Sequence, residues 1–219
     1  MRLVNSSEQI VFIEAGKVRL EGSLVVPEGA EGVVLFAHGS GSSRHSPRNN
    51  FVAQVLRKSG MGTLLMDLLT REEDMDYDAR FDIELLSGRL ETTTYWLKDE
   101  MPGSSIGYFG ASTGAAAALK AAVSMGETIG AVVSRGGRPD LAFDSLPKVK
   151  APTLLIVGGR DDVVIDLNRK AYAKLKCDKE LVIVPGATHL FEEPGALEEV
   201  ARLAAFWFKE RLKPAEARI

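Results

Sequence analysis

Between Lys17 and Val26 the chain alternates: Val18, Leu20, Leu24 and Val26 fall on one side, and Lys17, Arg19, Glu21 and Ser23 on the other. A period of two predicts a half-buried strand. The run "QIVFIEA" precedes it across a short turn at Gly16, so the chain is expected to open with an antiparallel β-hairpin. After Pro27 the pattern changes. Short apolar runs appear without alternation: "GVVLFAH", "GTLLMD", "SIGYFGAS", "IGAVVS" and "APTLLIVGG". Strands covered on both faces read this way, as in a parallel sheet packed between helices. Helical patterns lie between them, over residues 50–58, 78–97, 113–125 and 167–175. "ELVIVPGATHLF" reads as a last strand and loop. "GALEEVARLAAFWFKERL" reads as an amphipathic helix, with Leu197, Val200, Leu203, Ala204 and Phe208 on one face.

Regular alternation of strand and helix predicts a doubly wound, mostly parallel α/β sheet behind the hairpin. No repeat, low-complexity tract or linker interrupts it, and residues 1–219 read as a single domain. The segment "RGGRPDLAFDSLPKVK" is too short for a large lid, which predicts an open site suited to small or flexible substrates. "REEDMDYDARFDI" reads as a solvated loop leading into a helix. Its D-x-D-x-D spacing lacks the glycine and distal glutamate of a calcium loop.

Composition narrows the function classes. Of 219 residues, 45% are hydrophobic, and 27 basic against 30 acidic residues leave a formal charge of −3. No basic excess points to a nucleic-acid partner, and no uncharged apolar run approaches membrane-spanning length. The lone cysteine, Cys177, excludes a disulfide within the chain. The start lacks a basic stretch, an apolar block and a small-residue cleavage site. A cytoplasmic, soluble protein is the expectation. His38 and His45 belong to no Cys/His cluster, so no metal site is expected.

The strand "SIGYFG" runs into Gly110-Ala111-Ser112-Thr113-Gly114, a G-x-S-x-G. A serine nucleophile needs a sharp strand-to-helix turn to project its hydroxyl, and small neighbours two positions away keep that turn free of clashes. The same residues could simply pack a helix on a sheet. A serine hydroxyl is a weak nucleophile at neutral pH and needs a base and a group to orient that base. "GGRDD" places Asp161 after one strand, and "PGATHLF" places His189 after the next. Each has an ordinary reading: Asp161 as a helix cap or partner of Arg160, His189 as a surface residue. Together they stand in the order serine, acid, histidine at successive strand ends. Asp162 is the alternative acid.

The stretch "VVLFAHGSGSSRHSPRNN" admits two readings. As a dinucleotide loop it supplies Gly39 and Gly41, and Asp67 ends the next strand where a ribose-binding acid would sit. Arg44 replaces the third glycine, however, and no G-K-[ST] follows to make a P-loop. As an oxyanion loop it supplies backbone donors close to the serine turn.

"HGSGSS", "GASTGA", "GGRDD" and "GATHLF" together resemble the α/β-hydrolase superfamily over nearly the whole chain, and most of all its dienelactone hydrolase branch. The resemblance implies an α/β-hydrolase fold and a small-molecule ester substrate, with no metal or organic cofactor. It casts Ser112 as nucleophile, His189 as base and then acid, and Asp161 as the residue orienting the imidazole. Founding dienelactone hydrolases carry cysteine at the nucleophile, where this chain has Ser112, and Cys177 lies near a predicted helix end. A general carboxylesterase is therefore implied rather than an enzyme for dienelactone itself. In this reading the N–H groups of Ser40, with Gly41 as the alternative, and of Thr113 hold the tetrahedral oxyanion. Arg44, His45 and Arg48 follow the oxyanion loop, and Arg135 and Arg138 follow a strand, so the five form a candidate anion-binding rim. Surface pairing, for instance of Arg135 or Arg138 with Asp140 or Asp144, is the competing account. A catalytically silent binding protein on a hydrolase fold is the third functional class.

Overall fold

The computed structural model describes residues 5–212. β1 (Asn5–Ala15) and β2 (Val18–Val26) form the expected hairpin, and β2 runs antiparallel to β4 (Gly62–Met66). The remaining strands, β3 (Gly32–Ala37), β5 (Ser105–Ala111), β6 (Ile129–Arg135), β7 (Thr153–Gly158) and β8 (Lys179–Val184), lie parallel to β4. The sheet order is β1-β2-β4-β3-β5-β6-β7-β8.

The missing alternation in the central strands has a packing cause. Val33 and Leu35 meet α2 (Ile83–Glu100) and α3 (Thr113–Met125) on one face. Val34 and Phe36 meet α1 (Pro47–Lys58) and α5 (Ala196–Arg211) on the other. All four side chains are at most 1% exposed. Burying each contributes roughly 1.5–3 kcal/mol, so both faces select apolar residues and the period-two signal vanishes. α4 (Asp162–Lys174) covers β7 and β8.

Three internal helices begin away from the positions that periodicity alone predicts. α1 starts at Pro47 because Ser46 accepts a hydrogen bond from the Asn49 N–H at 3.3 Å, with proline in the first turn. α2 starts at Ile83, after 3₁₀ turns at Glu73–Met75 and Ala79–Phe81, and Asp82 caps it through the Leu85 N–H at 3.0 Å. α4 starts at Asp162, directly after the candidate acid. Between β6 and β7 the chain makes two short 3₁₀ turns, Pro139–Ala142 and Leu146–Lys148, in keeping with the lidless expectation. Among the described residues no helix is long and apolar enough to cross a membrane.

The parallel strands deliver their carboxyl ends to one edge. There β3 leads into the His38–Ser46 loop, β5 into Ser112, β6 into Gly136, β7 into Asp161 and β8 into the loop carrying His189. Open α/β sheets hold ligands at this edge.

Candidate active site

Ser112 has φ 51° and ψ −120°, a left-handed backbone that an L side chain rarely adopts. Such a conformation costs on the order of 1–3 kcal/mol and persists only where its surroundings hold it. Here the Ser112 N–H donates to the Arg135 carbonyl at 3.2 Å. The Ser112 carbonyl accepts from the N–H groups of Ala115 and Arg138, both at 3.1 Å. The flanking glycines are explained by contact. A Cβ on Gly110 would lie 2.4 Å from Ala115 Cα, and one on Gly114 would lie 2.2 Å from the Ala37 carbonyl oxygen. Ser112 occupies the N-cap position of α3, yet its side chain makes no capping bond.

Asp161 shows the same departure at the start of α4. It sits at the N-cap without capping; its carboxylate Oδ2 instead lies 2.6 Å from His189 Nδ1. An ionised carboxylate only accepts hydrogen bonds, so Nδ1 carries the proton, and Nε2 is left for proton transfer. The loops after β7 and β8 are laced together by Gly159 N–H to the Val184 carbonyl at 2.8 Å and Arg160 N–H to the Ala187 carbonyl at 2.9 Å. Gly136, at φ +50°, lies under the imidazole; a Cβ there would stand 3.5 Å from the ring and 3.2 Å from the His189 carbonyl oxygen. Asp162, the alternative acid, is exposed in the first turn of α4.

Ser112 and His189 line one open pocket of about 220 Å³. The loop after β3 contributes Gly39, Ser40 and Ser42, the start of α1 contributes Ser46, Arg48 and Asn49, and Arg135 and Leu190 complete the wall. His38 anchors the loop from below. Its buried ring donates from Nδ1 to the Gly39 carbonyl at 3.0 Å, and Nε2 accepts the Leu68 N–H at 3.0 Å. Burial pushes the imidazole pKa down and favours this neutral form. Gly39 is pressed against the Ser112 turn, since a Cβ there would fall 3.0 Å from Ser112 Cβ. Thr113 is the first residue of α3, where the backbone N–H has no acceptor within the helix.

One expected donor is otherwise engaged. The Ser40 N–H, read from the sequence as free for an oxyanion, donates to the buried Thr113 Oγ1 at 2.8 Å. The dinucleotide reading meets two obstacles. The glycine loop does not open a helix, since Ser42–Ser46 separate Gly41 from α1. Asp67, the proposed ribose ligand, is taken by Arg44 through a side-chain ion pair and a 2.7 Å bond from the Arg44 N–H.

The five-member rim breaks up. Arg44 lies between Glu21 and Asp67 with its charge already answered. His45 is exposed and lines a neighbouring cavity with Arg44 and Asp67 instead of the Ser112 pocket. Arg138 forms a two-point pair with Asp140 at 2.8 and 2.9 Å, as the surface-pairing account expected. Arg48 and Arg135 remain in the Ser112 pocket. Sequence reading missed Ser42, Ser46, Asn49 and Leu190 as pocket residues. The Ser46-Pro47 pair, a capping serine before a first-turn proline, was the available signal for two of them, because it moves the start of α1 to the pocket wall. Cys177 stands apart from the site, with its sulfur 3.7 Å from Thr153 Oγ1 at the other end of β7. Among the described residues no group of three or more His, Cys, Asp or Glu side chains is gathered to hold a metal ion.

An eight-stranded, mostly parallel sheet with helices on both faces and a strained serine turn at its carboxyl edge defines an α/β hydrolase. Residues 20–210 match the model of the dienelactone hydrolase family, and the chain belongs to that family. It is similar to the crystal structure of a dienelactone hydrolase from Anabaena variabilis, with 56% identity and a TM-score of 0.90 over 94% of this chain and 99% of that one. Two curated Mycobacterium tuberculosis sequences, each provisionally named a phosphoribosyl transferase, are 58% identical over 207 residues, covering 94% of this chain and 47% of theirs. The chain thus spans about half the length of the curated relatives it matches. Est1E from Butyrivibrio proteoclasticus shares the fold at a TM-score of 0.79 and 16% identity, over 92% of this chain and 98% of that one.

Proposed function

We propose that the chain is a serine hydrolase of small carboxylic esters, with lactones and thioesters as chemically equivalent acyl donors. One observation carries the reading. A serine in a left-handed backbone shares a pocket with a histidine whose Nδ1 is held 2.6 Å from a carboxylate, and neither the serine nor the aspartate caps the helix it begins.

In this mechanism His189 Nε2 takes the Ser112 proton as the hydroxyl oxygen attacks the ester carbonyl. Asp161 keeps the imidazole in the Nδ1–H form and stabilises the imidazolium. The Thr113 N–H faces the oxyanion, and the Ser40 N–H joins it by turning from the Thr113 hydroxyl. Collapse of the tetrahedral intermediate breaks the bond to the alcohol, which leaves with the proton from His189. Water then repeats the cycle on the acyl-enzyme and releases the acid. The pocket, open beside short 3₁₀ turns, favours small substrates over buried long-chain lipids. The phosphoribosyl transferase name belongs to relatives about twice the span of this chain, and the hydrolase reading rests on the site itself.

A fluorophosphonate probe followed by peptide mass spectrometry tests the reading. Ser112 is expected to carry the label in the folded protein and to lose it in His189→Ala. Absence of label on folded, unmodified protein overturns the mechanism in favour of a silent binding protein.

A further inference from the structure

We propose that Arg135 and Arg48 form an anion subsite beside Ser112, and that the substrate is an ester bearing a carboxylate or phosphate group within reach of both guanidiniums. The nature of the ester rests on the hydrolase reading above; the anion rests on the pocket.

Arg135 ends β6 directly opposite Ala111, one residue before Ser112. It is 7% exposed, and among the described residues its guanidinium meets no carboxylate and no hydrogen-bond acceptor; its Nε is buried without a partner. The nearest π-face, Phe191, is 5.9 Å away, at the edge of useful range. The charge that most affects it is another cation, Arg48. Burial first, and Arg48 second, push the Arg135 pKa down to about 10, which leaves it charged at neutral pH.

The two other deeply placed arginines set the standard. Arg44 is held by Glu21 and Asp67. Arg89 is held by the Ala15 carbonyl and Glu73, both at 2.7 Å. Arg44 and Arg89 are paired through their terminal nitrogens, although the Nε of each is buried without a partner like that of Arg135, and an unpaired buried charge is strongly unfavourable. Arg135 departs from that pattern at the wall of the pocket that holds the nucleophile.

Arg48 adds a second cation from a separate element. It sits in the first turn of the twelve-residue α1, which has no acidic residue there, so the helix N-terminus reinforces the positive potential. Its Nη1 touches Glu192 at 3.1 Å on the solvent rim, while its Nε is buried without a partner. Two guanidiniums therefore face one pocket with a single exposed carboxylate between them. An incoming oxyanion would complete the pairing, with the planar fork of Arg135 able to engage two of its oxygens.

The test compares 4-nitrophenyl acetate with mono-4-nitrophenyl glutarate, which share a leaving group and differ by a distal carboxylate. The ratio of their kcat/KM values is expected to fall about 10- to 100-fold in Arg135→Gln and in Arg48→Gln, the size of one charge-assisted hydrogen bond. Arg135→Lys, which keeps the charge and loses the fork, is expected to fall between. Calorimetric titration with inorganic phosphate and with glutarate, at fixed ionic strength, reads the subsite without turnover. Tighter binding of either to the unmodified protein than to Arg48→Gln supports the proposal and tells phosphate from carboxylate. Arg48 is partly exposed, so that comparison stands even if Arg135→Gln fails to fold. An unchanged ester ratio in the folded variants, with neither anion binding the unmodified protein more tightly, overturns the subsite. Anion binding without ester turnover overturns the hydrolase reading and leaves the subsite standing.

Discussion

At the scale of single residues, the site is built from groups that decline an ordinary structural role. Asp161 stands where a carboxylate would cap α4 and reaches instead for His189. Removing its charge while keeping its shape therefore bears on chemistry more than on folding. Asp161→Asn is expected to lower kcat by about 10⁴-fold, because the amide favours the wrong imidazole tautomer. Steady-state kinetics alongside a thermal melt separate that result from simple unfolding. His38 behaves oppositely: it is buried, burial holds it neutral, and its Nε2 accepts the Leu68 N–H. Its pKa lies below 6.5 in the folded chain, so the unfolded state binds the proton more readily. Its contribution to stability is complete above pH 6.5 and is lost as pH falls below that value, with a slope of up to about 1.4 kcal/mol per pH unit. Urea unfolding between pH 5 and 8 is expected to show this acid-side loss in the unmodified chain and a flatter profile in His38→Gln. Equal slopes would mean that His38 is not held neutral by burial.

At the scale of elements, close approach between α3 and the sheet decides where Ser112 stands. Gly114 lets the start of α3 ride against the end of β3, with no room for a methyl group beside the Ala37 and His38 carbonyls. Gly88, inside α2, has open space around it. The same substitution should act with opposite sign at the two sites. Gly114→Ala is expected to destabilise by about 3 kcal/mol or more, since backbone must move. Gly88→Ala is expected to stabilise by about 0.4–1 kcal/mol through the unfolded chain. Differential scanning calorimetry on the pair checks both. Element by element, legibility followed locality. α3 was read correctly over Thr113–Met125 because its start is marked by the serine turn. α2 and α4 were misplaced by about five residues: 3₁₀ turns and the Asp82 cap, invisible to a 3.6-residue period, set the start of α2, while α4 begins directly after an Asp161 that turns to His189 instead of capping. The arginine rim was legible only as a cluster. Whether an arginine is free depends on partners far along the chain: Glu21 and Asp67 each lie 23 residues from Arg44.

At the scale of the whole molecule, Arg44 joins regions that sequence order keeps apart. It links β2 of the hairpin, the end of β4 and the His38–Ser46 loop, so the antiparallel arm of the sheet braces the wall of the Ser112 pocket. Arg44→Ala should cost about 1–3 kcal/mol of stability, less than a fully buried pair because Glu21 is partly solvated. Guanidinium chloride unfolding measures this, and a cost near zero would make the link ornamental. Sequence by itself determined the hairpin and the doubly wound sheet, and it put Ser112, Asp161 and His189 after strand ends, because strand periodicity and strand-end motifs are local and ordered along the chain. Only the tertiary structure decided which charges are already paired, that the Ser40 N–H rests on Thr113, and that Arg135 is buried without a counter-ion in the pocket of Ser112. Those facts depend on distances between strand ends brought together by the parallel crossovers, and no local pattern records them.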